Sequence, residues 1–438
     1  MSATEFLCCK LGWNHDHTRP FTGMGVVFFV RRKIVNGGIK VKAEERVSHQ
    51  NLGQQLELFM SMEEAPGMPF YLPKGMILRN ELENLWREKH QRAEYQEIKT
   101  PILMKQELWE KSGHWDHYHE NMYFADVDDQ KYAIKPMNCP GAVLIFNSKR
   151  RSYRELPVRY AELGLVHRHE LSGSLNGLLR VRAFTQDDAH LFVLEEQIES
   201  EIAKVLDLVD EFYSEFGFSY KVELSTRPEN YMGSVEVWDQ AEQALEAVLQ
   251  NKQVEYQVNE GDGAFYGPKI DFHILDALGR SWQCGTVQLD FQMPEKFDCK
   301  YVDEHNQLRQ PIMIHRAIYG SIERFMAILL EHYQGSFPLW LSPVQVKILP
   351  IADAHKEYAE NVKWQLEQDG YRVEIDNRVE KIGLKIREAA MQKHPYMLII
   401  GDHEMENGAV SVRQHKVGVL GEMSVSAFIE KLKEARKG

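Results

Sequence analysis

Residues 159–192, RYAELGLVHRHELSGSLNGLLRVRAFTQDDAHLF, constrain the chain more than any other stretch. Arg168 and Glu170 stand two apart, so on a strand both side chains point to one face. A loop rich in glycine and serine follows, with Ser172, Gly173, Ser174 and Gly177. A second strand is then predicted to carry Arg180, Arg182, Phe184, Gln186 and Asp188 at the same period, closed by His190. Two antiparallel strands with arginines on each make a basic cleft floor, which offers fixed forks of donors to a polyphosphate. A solvated surface hairpin would also carry charge. The mixture of Arg, Phe, Gln, Asp and His on one face suits recognition better.

A chain of 438 residues has room for two or three domains and a large core. With 43% hydrophobic and 27% charged residues it reads as globular. The net charge of −13 excludes nucleic-acid binding through bulk charge, so such a partner must meet local basic patches. Five cysteines, at 8, 9, 139, 284 and 299, are odd in number and scattered. That argues against a disulfide framework and for a reducing, cytoplasmic setting. No apolar run reaches the length of a membrane span. The greasiest stretch, 21–30, is followed by Arg31, Arg32 and Lys33, whereas a signal peptide would put its basic residues first.

Residues 1–43 fit no pattern; Cys8, Cys9, His15 and His17 match no usual zinc spacing, and Gly37-Gly38 reads as a turn. A helix is expected over 43–60, ending at the breaker Pro66-Gly67-Met68-Pro69, and an amphipathic helix over 75–93. A strand is expected over 95–104, with Pro101 marking an edge or interface. His114, His117 and His119 crowd one segment, where Trp115 and Tyr118 favour packing over metal binding. Residues 131–146 read as strand, turn with Cys139, and helix. Cys139, His190 and His315, the last in a predicted helix-entry stretch, would make a three-ligand zinc set with an open fourth position. Eighteen histidines and five cysteines allow many such triples, so spacing alone does not select this one. Amphipathic helices are expected over 191–216 and 238–251. A glycine-rich turn then enters a strand with Tyr266, Lys269 and Asp271. A strand over 282–291 shows Gln283, Thr286 and Gln288 among apolar neighbours, where buried polar groups want partners. Arg324, near a predicted helix start, could hold an anion. Beyond Pro338 strand and helix alternate, which predicts a mostly parallel α/β domain, with the boundary near 336–342.

The motifs KPMNCPG, HRHE, SGSLNGLLRVRAFTQDDAH, GAFYGPK, QCGTVQLDF, MIHRAIYGSIERF and PVQVKILPI, in this order, resemble those of the threonyl-tRNA synthetases. The resemblance runs from about Val47 to the C-terminus. It implies a class II aminoacyl-tRNA synthetase: an α+β catalytic domain with an antiparallel sheet flanked by helices over 44–338, then an α/β anticodon-binding domain over 339–438. Residues 1–43 form an atypical N-terminal segment, with no room for the editing region that family members usually carry there. The implied activity is an ATP-dependent, cytoplasmic threonine–tRNA ligase, a homodimer with one zinc per chain and Mg²⁺ accompanying ATP. Its implied partners are threonine, ATP and threonine tRNA, with no membrane.

The resemblance also assigns roles. Cys139, His190 and His315 are the implied zinc ligands; Asp188, Gln186, Tyr266 and Gln288 the implied threonine site. ATP would be met by Arg168 on the α-phosphate, by Glu170 on the adenine amino group and by Phe184 stacked on the ring. Arg180, Gln283 and Arg324 complete the ATP site, with Arg324 on the γ-phosphate. Lys269 would be a second cation at the reacting centre, and His114 is implicated in transfer to the tRNA ribose. Pro101 would help build the dimer interface, while Glu404 and Arg413 would read anticodon bases. A metal that demands an oxygen ligand rejects valine far better than a cavity could. Serine also offers a hydroxyl, so without an editing region some seryl-tRNA is expected. Three positions depart from the family: Ala142 and Val379 replace its usual histidine and asparagine, and Leu171 stands where many members have proline or a charge. Two other readings remain, a paralogue loading threonine onto a non-tRNA acceptor and a non-catalytic tRNA-binding regulator. The latter would be expected to lose Arg168 and Arg324, and both are present.

Overall fold

The computed structural model describes residues 47–275 and 279–437. Cys8, Cys9, His15, His17, the Gly37-Gly38 turn and the start of the helix expected over 43–60 lie outside them. The described part of that helix is α1 (His49–Gln55), after which the chain turns into a short strand at Phe59–Met60. Ser48 caps α1 by accepting the Asn51 N–H. Helix α2 (Pro73–Arg92) starts on a proline, whose missing donor costs nothing at that position.

An eight-stranded sheet forms the centre. Its strands are β1 (Gln96–Glu97), β2 (Val158–His167), β3 (Ala183–Val193), β4 (Tyr220–Ser225), β5 (Tyr256–Asn259), β6 (Lys269–Leu275), β7 (Ser281–Asp290) and β8 (Ile312–Ala317). They lie in the order β5-β4-β6-β7-β8-β3-β2-β1. The six inner strands pair antiparallel, while β1 and β5 add parallel edges. Alternation sorts the two faces of β3. Ala189, Leu191 and Val193 enter a large core, with Ile202, Val205, Val209 and Phe212 of a helix at Ile198–Glu215 behind them. Phe184, Gln186, Asp188 and His190, at even positions, belong to the other face.

Several expected elements are corrected. The strand expected over 95–104 breaks after Glu97, because the Thr100 N–H leaves the ladder and donates to the Glu162 carboxylate at 2.8 Å. The helix expected over 191–216 begins only at Ile198: residues to Val193 finish β3, and Gln197 Oε1 then caps the Leu194 N–H at 3.0 Å. His315 lies on β8, not at a helix entry; the fully buried run IMIHRA pairs with β3 and β7. Cys139 opens a helix (Cys139–Asn147) instead of sitting in a turn before it. Arg180 and Arg182 precede β3, and Arg182 turns away to bind the Glu170 carbonyl at 2.9 Å and Ser172 Oγ at 3.1 Å. The cleft floor therefore takes its arginines from the strand ends and the turn between them.

The C-terminal body holds strands Val373–Ile375, Val346–Pro350, Tyr396–Ile400, Ala409–Gln414 and Gly418–Ser424, in that spatial order. The first three are parallel, but the last two pair antiparallel, so the sheet is mixed rather than mostly parallel. The connection 401–408 is too short for a parallel crossover, which needs about a dozen residues or more. Arg372 fastens this body to α2 by donating to Glu81 Oε1 at 2.7 Å.

Candidate active site

The register of the sheet builds the site. His190 on β3 stands directly opposite His315 on β8, and His315 opposite Gln288 on β7. Directly opposed residues share a face, so the three side chains form one row. The helix at Cys139–Asn147 then brings Cys139 over the row. One ligand atom each from Cys139, His190 and His315 lies within 4.8 Å of the others, and all three residues are buried.

This donor set suits a metal. Burial pushes the Cys139 thiol well up, with Asp188 and Asp290 adding to it, and pushes the His190 imidazole well down. Two histidine rings beside a thiol are the kind of donor set that zinc prefers. His315 donates its Nε2–H to Asp290 Oδ2 at 2.8 Å, which leaves Nδ1 as the nitrogen that would meet a metal. The other Asp290 oxygen accepts the N–H groups of Gln292 and Met293 at 2.7 and 3.0 Å, which pins the carboxylate.

A cavity of about 430 Å³ runs from this cluster along the sheet. Cys139, His190, His315, Asp188, Gln186, Tyr266 and Gln288 line one part; Arg168, Glu170, Arg180, Phe184, Gln283 and Arg324 also line it. Tyr266 donates its hydroxyl to Gln288 Oε1. Burial raises the Asp188 carboxyl, against the Asn138 amide that donates to its Oδ2 at 3.1 Å. Arg168 is aimed by the Pro136 carbonyl, 3.1 Å from Nε, and its guanidinium carbon lies 5.1 Å from the centre of the Phe184 ring. Arg324 is aimed by the carbonyls of Leu179 and Gln283, at 3.1 and 3.0 Å.

Two expected site residues do not line the cavity. Lys269 points its amine between Asp262 and Asp271, at 2.9 and 2.7 Å. His114 is fully buried behind the cluster, its Nδ1 on Ser112 Oγ at 2.7 Å and its Nε2 3.9 Å from the Cys139 sulfur. Burial, with Arg168 next, holds its imidazole at about 3, so it is neutral. Glu404 and Arg413 lie in the C-terminal body. Burial alone would raise the Glu404 carboxyl, but hydrogen bonds from the Gly401 N–H, at 2.9 Å, and Ser411 hold it below the usual range. Asn138 and Asp290 were missed in the sequence. Asp290 had a signal, two residues past Gln288 on the same strand face.

Residues 122–333 match the family described as tRNA synthetase class II core domain (G, H, P, S and T), and residues 345–435 match the anticodon binding domain family. The chain is 62% identical to the threonine–tRNA ligase of Carboxydothermus hydrogenoformans over 384 residues, 88% of this chain and 61% of that protein. It is 60% identical to the threonine–tRNA ligase of Acetivibrio thermocellus over 398 residues, 91% of this chain and 63% of that one. It also superposes, with a TM-score of 0.85 and 41% identity, on a crystal structure of the RNA binding domain of threonyl-tRNA synthetase from Cryptosporidium parvum, covering 89% of this chain and 98% of the other.

The chain belongs to the threonyl-tRNA synthetase family. It spans about three-fifths of the length of the curated relatives named above. The fold expected of a class II synthetase, an antiparallel sheet flanked by helices followed by an α/β body, is the one found. The departures from the synthetase pattern now have places. Ala142 is fully buried in the helix that Cys139 opens, whereas Leu171 and Val379 are 74% and 87% exposed. A change at either exposed position leaves the core packing untouched.

Proposed function

We propose that this chain is a threonine–tRNA ligase, activating threonine with ATP and transferring it to the 3′ end of threonine tRNA. The observation that carries this reading is the meeting, in one cavity, of a Cys–His–His donor set with three arginines, two of them, Arg168 and Arg324, fixed by backbone carbonyls. Cys139, His190 and His315 would hold zinc, whose chemistry supplies an open position for the amine and hydroxyl of threonine. Asp188 accepts the hydroxyl proton in a hydrogen bond, and Gln186, Tyr266 and Gln288 orient the amino acid.

A threonine carboxylate oxygen attacks the α-phosphorus of ATP, and pyrophosphate leaves. Arg168 draws off the charge that builds on the α-phosphate, while Arg180 and Arg324 hold the leaving phosphates with Mg²⁺. Glu170, Phe184 and Gln283 hold the nucleoside part. Lys269, here paired with Asp262 and Asp271, would supply a second cation to the reacting oxygens only on leaving those carboxylates. The resemblance gives His114 a part in the ribose step; buried outside the cavity, it would have to come within reach of the ribose hydroxyl to act as a base.

Residues 44–338 act as the catalytic domain and 339–438 as the anticodon reader, through Glu404 and Arg413. The partly exposed Ile102 and Leu103, beside Pro101, support a homodimer seam there. The enzyme works in the cytoplasm. The test is pyrophosphate exchange with threonine, serine and valine side by side, followed by charging of threonine tRNA. Exchange with threonine over valine, and charging, are expected; exchange without charging would favour a different acceptor, and no exchange would favour a regulator.

A further inference from the structure

The turn 176–180, which brings Leu179 and Arg180 to the cleft, is held from behind by a residue outside it. His49, at the start of α1, is 2% exposed. Its Nε2 accepts the Leu178 N–H at 3.2 Å. Nε2 therefore carries the lone pair and Nδ1 the proton, which it donates to Glu331 Oε1 at 2.8 Å. The same oxygen accepts the backbone N–H of His49 at 3.2 Å, and the other carboxylate oxygen meets Arg280.

Glu331 stands on the helix Ile322–Tyr333, which also carries Arg324. The ring of contacts closes, because the carbonyl of Leu179 accepts from Arg324 Nε at 3.1 Å. Helix and turn are thus joined twice, directly through Arg324 and indirectly through His49. Gly177 permits the approach: at φ +49, a Cβ there would lie 2.2 Å from His49 Nε2. Without the imidazole, the buried N–H of Leu178, a residue 1% exposed, would lose its acceptor.

We propose that His49 is a positioning residue for ATP, fixing the turn so that Arg180 and Arg324 keep their mutual placement on the phosphates. The role of those arginines rests on the ligase reading. The test is threonine-dependent pyrophosphate exchange on the full chain. His49→Asn keeps a donor toward Glu331 but cannot reach Leu178; His49→Gln puts an amide oxygen near the place of Nε2.

Expected for His49→Asn is a KM for ATP raised about tenfold, with KM for threonine and metal content unchanged. His49→Gln should recover most of that loss. An unchanged KM for ATP would overturn the proposal, as would both KM values and kcat failing together with no recovery by glutamine. Should His49→Asn not fold, Gly177→Ala, which presses on the ring, decides by the same readout. If the native chain shows no threonine-dependent exchange, the ligase reading falls. Equilibrium dialysis of Mg·ATP against native and His49→Asn protein then still decides the role of His49.

Discussion

The catalytic cleft and the outer face of the C-terminal body both carry functional candidates, but they hold them by different physics. In the cleft, Cys139, Asp188, His190 and His315 are buried, and each strand-borne group is fixed by sheet register. In the C-terminal body, Val379 is 87% exposed, and Glu404 is engaged in capping its own helix. A group removed from water acts in a low dielectric with no screening, so one substitution has a large effect. A group in water is screened, and its contribution is shared among many contacts. The largest effects are therefore expected in the cleft.

Cys139→Ser should give the largest. Elemental analysis should find one zinc per chain in the native protein and none in the variant, and threonine activation should fall about a thousandfold. What activation survives should no longer prefer threonine to valine. Full retention of metal and of that preference would break the contrast at its strongest point.

Asp290→Asn comes next. The amide can still accept from His315, but it lacks the charge that orients and enriches the ring. Affinity for zinc should fall about 10- to 100-fold, read by competition with a chelator, while the fold is kept. An unchanged affinity would mean that register alone aims His315.

These two residues also mark what could be read from the sequence. His190, Asp188, Gln186 and Phe184 were legible, because period-two alternation survives in any strand whose other face is core. The same rule would have given Asp290 from Gln288. His315 was assigned its metal but not its element: a fully buried strand, IMIHRA, lacks the polar alternation that marks a half-exposed one. The strand expected over 95–104 failed because a buried carboxylate, Glu162, outcompetes the ladder for the Thr100 N–H. His49 was invisible, since its partners lie at Leu178 and Glu331, distant in sequence and carrying no local pattern.

In the C-terminal body, Arg413 is half-buried on the strand Ala409–Gln414, where the register shifts between Val412 and Arg413. Arg413→Ala should lower kcat/KM for threonine tRNA about tenfold and leave pyrophosphate exchange unchanged. An equal fall in exchange would show that this body acts on the cleft rather than on RNA.

The smallest effect is expected at Val379, where the family usually has asparagine. An exposed valine offers no hydrogen bond to a base edge and contributes little to packing. Val379→Asn should therefore leave Tm within about a degree, because surface changes away from special features usually cost under about 0.5 kcal/mol. Charging should improve by about threefold, the worth of one partly solvated hydrogen bond near 0.6 kcal/mol. The gain should appear in KM for tRNA, with kcat unchanged, because Val379 does not line the cavity. A gain as large as the loss from Cys139→Ser would erase the distinction between the two regions. No gain at all would mean that the neighbouring residues have already adapted to valine, so that anticodon reading on this face rests on Glu404 and Arg413 instead.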